Sequence, residues 1–157
     1  TIGRHFEVTQ RALHLVFHAL AEHHVRLEAM LLKPNMVLAG KDCPAQAGVE
    51  PVAGATVRCL KRTVPAAVPG LVFLSGGQGD VRATEHLNAM NRIGAAPWEL
   101  SFSFGRALQA PALRAWGGLP AKIPAMQREL LHRARCNGAA RCGRYSGAME
   151  TNPAGIP

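Results

Sequence analysis

A lysine placed after a run of apolar residues can do chemistry that a fully solvated lysine cannot. Lys33 follows Leu27, Met30, Leu31 and Leu32. An ammonium drawn out of water by such neighbours gives up its proton more readily, and the free amine can form an imine with a ketone. The same placement suits a lysine that only snorkels its charge to water, so this feature alone leaves both readings open. Further along, Ser75-Gly76-Gly77 and Ser103-Phe104-Gly105-Arg106 combine hydroxyls, glycines and a guanidinium. Glycine lets backbone N–H groups come close to an anion and arginine adds a forked charged donor, so both segments suit a phosphate monoester. A plain turn is the other reading of the first segment.

Other reactive side chains lack the company their chemistry needs. His14 and His18 lie four apart, as helical metal ligands do, but no third ligand or HExxH pattern accompanies them. His23-His24 reads as a polar helix end, and Arg133, Arg135, Arg141 and Arg144 as a solvated basic face. Glu28, Glu99 and Asp42 are candidate acid–base groups, although strand alternation would put Glu28 and Lys33 on opposite faces. Cys43, Cys59, Cys136 and Cys142 form no CxxC pair, which favours reduced structural thiols over disulfides or zinc. The formal charge of +8 and pI near 10.2 draw anions, whether polymers or small phosphorylated molecules.

The elements that must position these groups follow from periodicity. Phe6, Leu13, Val16, Phe17 and Leu20 mark an amphipathic helix over residues 6–23, and the dense run Val25 to Leu32 predicts a buried strand with Lys33 at its carboxyl end. Helix is expected from Val49 to Val64, strand at Leu71–Leu74 before the glycines, and helix from Val81 to Ile93. A third strand over Trp98–Ser103 precedes helices over Ala107–Trp116 and Ala125–Ala140, and the tail beyond Gly143 is expected to be loosely ordered. Alternating helix and strand predicts an α/β fold of parallel βα units, whose chemistry sits where strands end: after Leu32, Leu74 and Phe102. Three strands make part of a barrel or a small open sheet, since a (β/α)8 barrel takes about 250 residues. Charges interrupt every apolar stretch before the ~18 residues that span a bilayer, and Thr1-Ile2-Gly3-Arg4-His5 carries no secretory leader, so a soluble, cytoplasmic chain is expected.

Three strings in order, LEAMLLKPNMV (27–37), LKRTVPAAVPGLVFLSGGQ (60–78) and LNAMNRIG (87–94) followed by PWELSFSFGRALQAPALRAW (97–116), resemble class I fructose-bisphosphate aldolases, most of all the bacterial versions. The resemblance covers roughly residues 8 to 145. It implies the second part of a (β/α)8 barrel, incomplete in this chain, with residues 1–145 as the barrel portion and 146–157 as the tail. It further implies no metal or other cofactor, and reversible cleavage of fructose 1,6-bisphosphate to dihydroxyacetone phosphate and glyceraldehyde 3-phosphate. Lys33 matches the imine-forming lysine. Ser75 and Gly76 match the loop that binds the phosphate next to the ketone, and Ser103, Gly105 and Arg106 its neighbours, with Phe104 where most members have tyrosine.

Nothing before Thr1 corresponds to the family's first five strands, which carry its proton-transferring carboxylates. Self-association, or pairing with an N-terminal half, is therefore expected, and turnover by these residues alone is not. The partner class is a phosphorylated ketose, with no membrane and no nucleic acid: aromatic content is 5% and no stacking platform is visible. A catalytically inactive phosphosugar- or polyanion-binding remnant is the alternative.

Overall fold

A computed structural model describes residues 1–151 of the chain. Helix α1 (Ile2–Glu22) starts at Thr1, whose hydroxyl accepts a hydrogen bond from the Arg4 amide and so satisfies one of the free first-turn donors. After α1 the backbone turns through His24 at φ 52° and coils into a 3₁₀ turn over Leu27–Ala29. Strand β1 is only Leu31–Leu32. The predicted strand from Val25 onward is thus mostly something else. The amides of Val25, Ala29 and Met30 bond to the carbonyls of Leu20, Arg26 and Leu27, and donors used locally in this way are lost to a strand ladder. With it goes the alternation argument for Glu28, which is exposed on the turn.

The remaining elements alternate as expected: α2 (Val49–Thr63), β2 (Gly70–Phe73), α3 (Asp80–Ile93), β3 (Glu99–Phe102), α4 (Arg106–Trp116), α5 (Ile123–Arg141) and the short α6 (Ala148–Thr151). The three strands form one parallel sheet in the order β1-β2-β3, with Leu32 opposite Leu71 and Phe73 opposite Phe102. All three strands therefore end on the same edge. Leu71, Phe73 and Leu100 are buried in the core, which also takes in Val57, Leu60, Leu87 and Met90 from the helices. Val72 and Ser101, which face each other across β2 and β3, lie on the opposite side of the sheet and stay partly open. On β1, Leu31 is 61% exposed.

Ser146–Thr151 depart from the loosely ordered tail predicted for 146–157, whose remainder lies outside the described residues. Arg133, almost fully buried on α5, binds both carboxylate oxygens of Glu150 at 2.6 Å, and the Tyr145 hydroxyl donates to Glu150 Oε1 at 2.7 Å. A second guanidinium nitrogen reaches Thr84 Oγ1 on α3 at 2.6 Å. Burial pushes the Glu150 carboxyl up, but the bonds from Arg133 and Tyr145 outweigh it and hold the group below its ordinary value. His132 and Cys136 stand near enough to Glu150 to suggest metal ligands. However, Arg133 already occupies the carboxylate, and burial, then Glu150, pushes the Cys136 thiol up to about 11, so the thiolate a metal needs is disfavoured. The cluster is a structural latch.

Candidate active site

Continuing the β1–β2 register by one residue sets Lys33 beside Val72 and Ser101, on the side of the sheet that the helices leave open. Lys33 is itself exposed, so the apolar burial expected around it does not come from residues 1–151. What these residues do supply is a rigid mount. The Leu74 amide donates to the Pro34 carbonyl at 3.1 Å, which ties the residue after Lys33 to the end of β2. Asn35 Nδ2 donates to His5 Nε2 (3.2 Å) and Thr9 Oγ1 (3.1 Å), and His5 Nδ1 in turn donates to the Leu38 carbonyl at 2.7 Å. The Val37 amide donates to Thr56 Oγ1 on α2 at 2.9 Å. Two helices thereby hold the segment that follows the lysine.

The loop after β2 turns through Gly76 (φ 61°) and Gly77 (φ 81°), conformations that L side chains resist. Gln78 closes it: its amide and its side-chain Nε2 both donate to the Ser75 carbonyl, at 3.1 and 2.8 Å. With Nε2 so committed, Gln78 Oε1 faces His86 Nδ1 on α3 at 2.6 Å and accepts a hydrogen bond from it. His86 is almost completely buried; burial, then the charge of Arg82, lowers its pKa to about 4, so the imidazole is neutral at pH 7. Ser75 is buried as well, which leaves the two glycines as the surface the loop offers.

On the other side of β2, the Ser103 amide donates to the Phe73 carbonyl at 2.8 Å, carrying the ladder one residue past β3. Phe104 turns inward against Phe102, with ring centroids 5.6 Å apart, and Gly105 and Arg106 are then exposed at the start of α4. The Arg106 guanidinium reaches back: a Cβ built on Gly77 would lie 3.6 Å from Arg106 Nη2. Loops two and three thus meet. The candidates Lys33, Ser75, Gly76, Ser103, Gly105 and Arg106 all lie at or just beyond the strand ends on one sheet edge. Sequence reasoning missed Lys41, whose Nζ would lie 3.3 Å from the same Cβ, and the Gln78–His86 tie. Gln78 closes the LKRTVPAAVPGLVFLSGGQ string, but His86 sits eight residues on along a helix and carries no local signal.

A parallel α/β sheet with a lysine at one strand end and glycine loops at the next two defines the class: an α/β domain whose strand ends form the edge where such folds bind or act on small molecules. The model of class-I fructose-bisphosphate aldolases matches residues 1–155. Fructose-bisphosphate aldolase of Dictyostelium discoideum is 51% identical over 154 residues, which is 98% of this chain and 43% of the relative. A cytoplasmic isozyme from Pisum sativum is 55% identical over 91% of this chain and 40% of its own length. Among solved structures, the aldolase of Plasmodium falciparum, crystallised with TRAP and a small-molecule inhibitor, superposes with a TM-score of 0.92 at 48% identity, covering 94% of this chain and 42% of that one. The chain belongs to the class I fructose-bisphosphate aldolase family, and it spans about two fifths of the length of the curated relatives it matches. These relatives are eukaryotic, so the expected bias toward bacterial members finds no support in them.

Proposed function

We propose that this chain carries the imine lysine and the ketose-phosphate loops of an enzyme that reversibly cleaves fructose 1,6-bisphosphate to dihydroxyacetone phosphate and glyceraldehyde 3-phosphate. The observation that carries this reading is the convergence of three successive strand ends on one edge, with Lys33 on the first and the phosphate-suited groups on the next two. Lys33 Nζ adds to the ketone carbon next to the phosphate-bearing one, water leaves, and the protonated imine draws the electron pair of the breaking C3–C4 bond into an enamine. Ser75, Gly76, Ser103, Gly105 and Arg106 hold the phosphate and so fix the carbonyl relative to the amine. In the family's (β/α)8 barrel, further strands would pair along the open edge of β1, cover Leu31 and Lys33, and bring the carboxylates that move protons. A cytoplasmic location accords with the naming of the pea relative, and no helix among the described residues is long and apolar enough to cross a membrane.

Borohydride reduction of the intact protein with dihydroxyacetone phosphate should attach one substrate carbon skeleton, at Lys33, and Lys33→Met should take up none. A label that persisted in Lys33→Met would end this assignment. The exposure of Lys33 favours a second reading, a phosphosugar-binding remnant without imine chemistry. Tight phosphate binding with no trapped product would decide for it.

A further inference from the structure

Lys41 lies in the connection between β1 and α2, eight residues after Lys33, and it belongs to none of the strand-end motifs. Its Nζ nevertheless arrives at the same point over Gly77 as Arg106 Nη2, which comes from the start of α4. Neither cation has a carboxylate partner among the described residues. Two unpaired positive charges at one point repel each other, and an anion between them turns that repulsion into attraction twice over. On the Lys41 side of the loop there is room for one, in a space that Arg106 approaches over Gly77 without lining it. A cavity of about 490 Å³ opens beside the loop, lined by Lys41, Gly76, Gly77, Gln78, Arg82 and His86. Arg82 is already committed, at 3.3 Å to Glu85 and 3.3 Å to the Ala47 carbonyl, and His86 is neutral, so the free charge in this cavity is that of Lys41. No hydrogen bond among the described residues uses the Gly76 or Gly77 amide.

Gly77 adds an independent constraint. A Cβ there would stand 3.3 Å from Lys41 Nζ and 3.4 Å from its Cε, so a side chain at this position would displace the lysine tip by a few tenths of an ångström, and the φ of 81° disfavours one in any case. We propose that Lys41 is a further substrate-binding residue, the second cation of a clamp on the phosphate monoester, with Arg106 as the first and the Gly76–Gly77 backbone between them. The inference rests on the phosphate reading of the site given above and adds to it a residue from a third loop. The clamp makes the site selective for a doubly charged phosphate group over singly charged anions.

The test measures affinity of the intact protein for inorganic phosphate and for dihydroxyacetone phosphate by titration calorimetry. Lys41→Met should weaken both by about tenfold or more, as loss of one charge-assisted contact does, and should flatten their dependence on salt. Lys41→Arg, which keeps the charge, should stay within about threefold of the parent, and Lys122→Met, at an exposed lysine in the 3₁₀ turn between α4 and α5, should change nothing. If Arg106→Met weakens binding and Lys41→Met does not, Lys41 is a solvated loop lysine and the phosphate site stands without it. If neither substitution weakens binding, the phosphate reading itself fails and this inference falls with it. Lys41 and Arg106 are both exposed, so neither substitution threatens folding.

Discussion

Lowering the pH from 7 to 4 should remove about 3 kcal/mol of folding stability through His86 alone. The folded-state pKa of this group is lowered to about 4 by burial and by Arg82, against a value near 6.5 in the unfolded chain. The unfolded state therefore binds the proton first. His86 contributes nearly its full stability above pH 6.5, loses most of it as pH falls to 4, and loses the last few tenths of a kcal/mol (~0.4) below that. A gap of about 2.5 pH units at 1.36 kcal/mol each sets the size of the effect. Equilibrium denaturation of the parent and of His86→Asn, at pH 7, 5.5 and 4, isolates this term because the other titrating groups are common to both. Asparagine can still donate to Gln78 Oε1, so the loop tie survives while the titration disappears. At pH 7 the variant should be the less stable, by the cavity it leaves. By pH 4 the difference should have moved by about 3 kcal/mol in its favour. A difference that stays constant across this range would show that His86 titrates normally and that the packing around it does not exclude charge.

Two further substitutions test the scaffold. Arg133→Met should cost about 3 kcal/mol in the same denaturation experiment, because it strands the Glu150 carboxylate in a largely buried place, and a loss below about 1 kcal/mol would mean that α6 is not latched to α5. Gly77→Ala should cost about 1 kcal/mol from its φ of 81° and weaken phosphate binding through Lys41, whereas Gly79→Ala, with φ −59° and open space around the position, should do neither. Equal behaviour of the two alanine variants would contradict the loop geometry.

The sequence disclosed elements where a single physical signal dominated. Leu71-Val72-Phe73-Leu74 is apolar, short and closed by glycines, and it forms β2 displaced by one residue. The helices α2 to α5 likewise fall within two residues of their expected bounds at either end, α3 from its apolar spacing and the others from the prolines and glycines that delimit them. The segment Val25–Met30 misled because a 3₁₀ turn and a buried strand can both be apolar, and only hydrogen bonding back to Leu20, Arg26 and Leu27 distinguishes them. At the site, the strand-end rule located the three loops but not how they fit together. The Asn35–His5 bond spans 30 residues, the Thr84–Arg133 bond 49, and Lys41 meets Arg106 across two intervening strands. Such pairings depend on how α1, α3 and α5 pack, which no local window contains.

The hydrogen bonds that join His5 and Thr9 with Asn35 and Leu38 make the first half of α1 and the segment after Lys33 one opening unit. Neither can come away while the other stays, since each would leave polar groups unpaired. The precision with which the amine is held is then no better than the durability of α1, a helix lying at the outside of the molecule with Val8, Leu15 and Val16 facing solvent. Whatever covers that outer face would raise the free energy of this opening and so steady an amine it never touches.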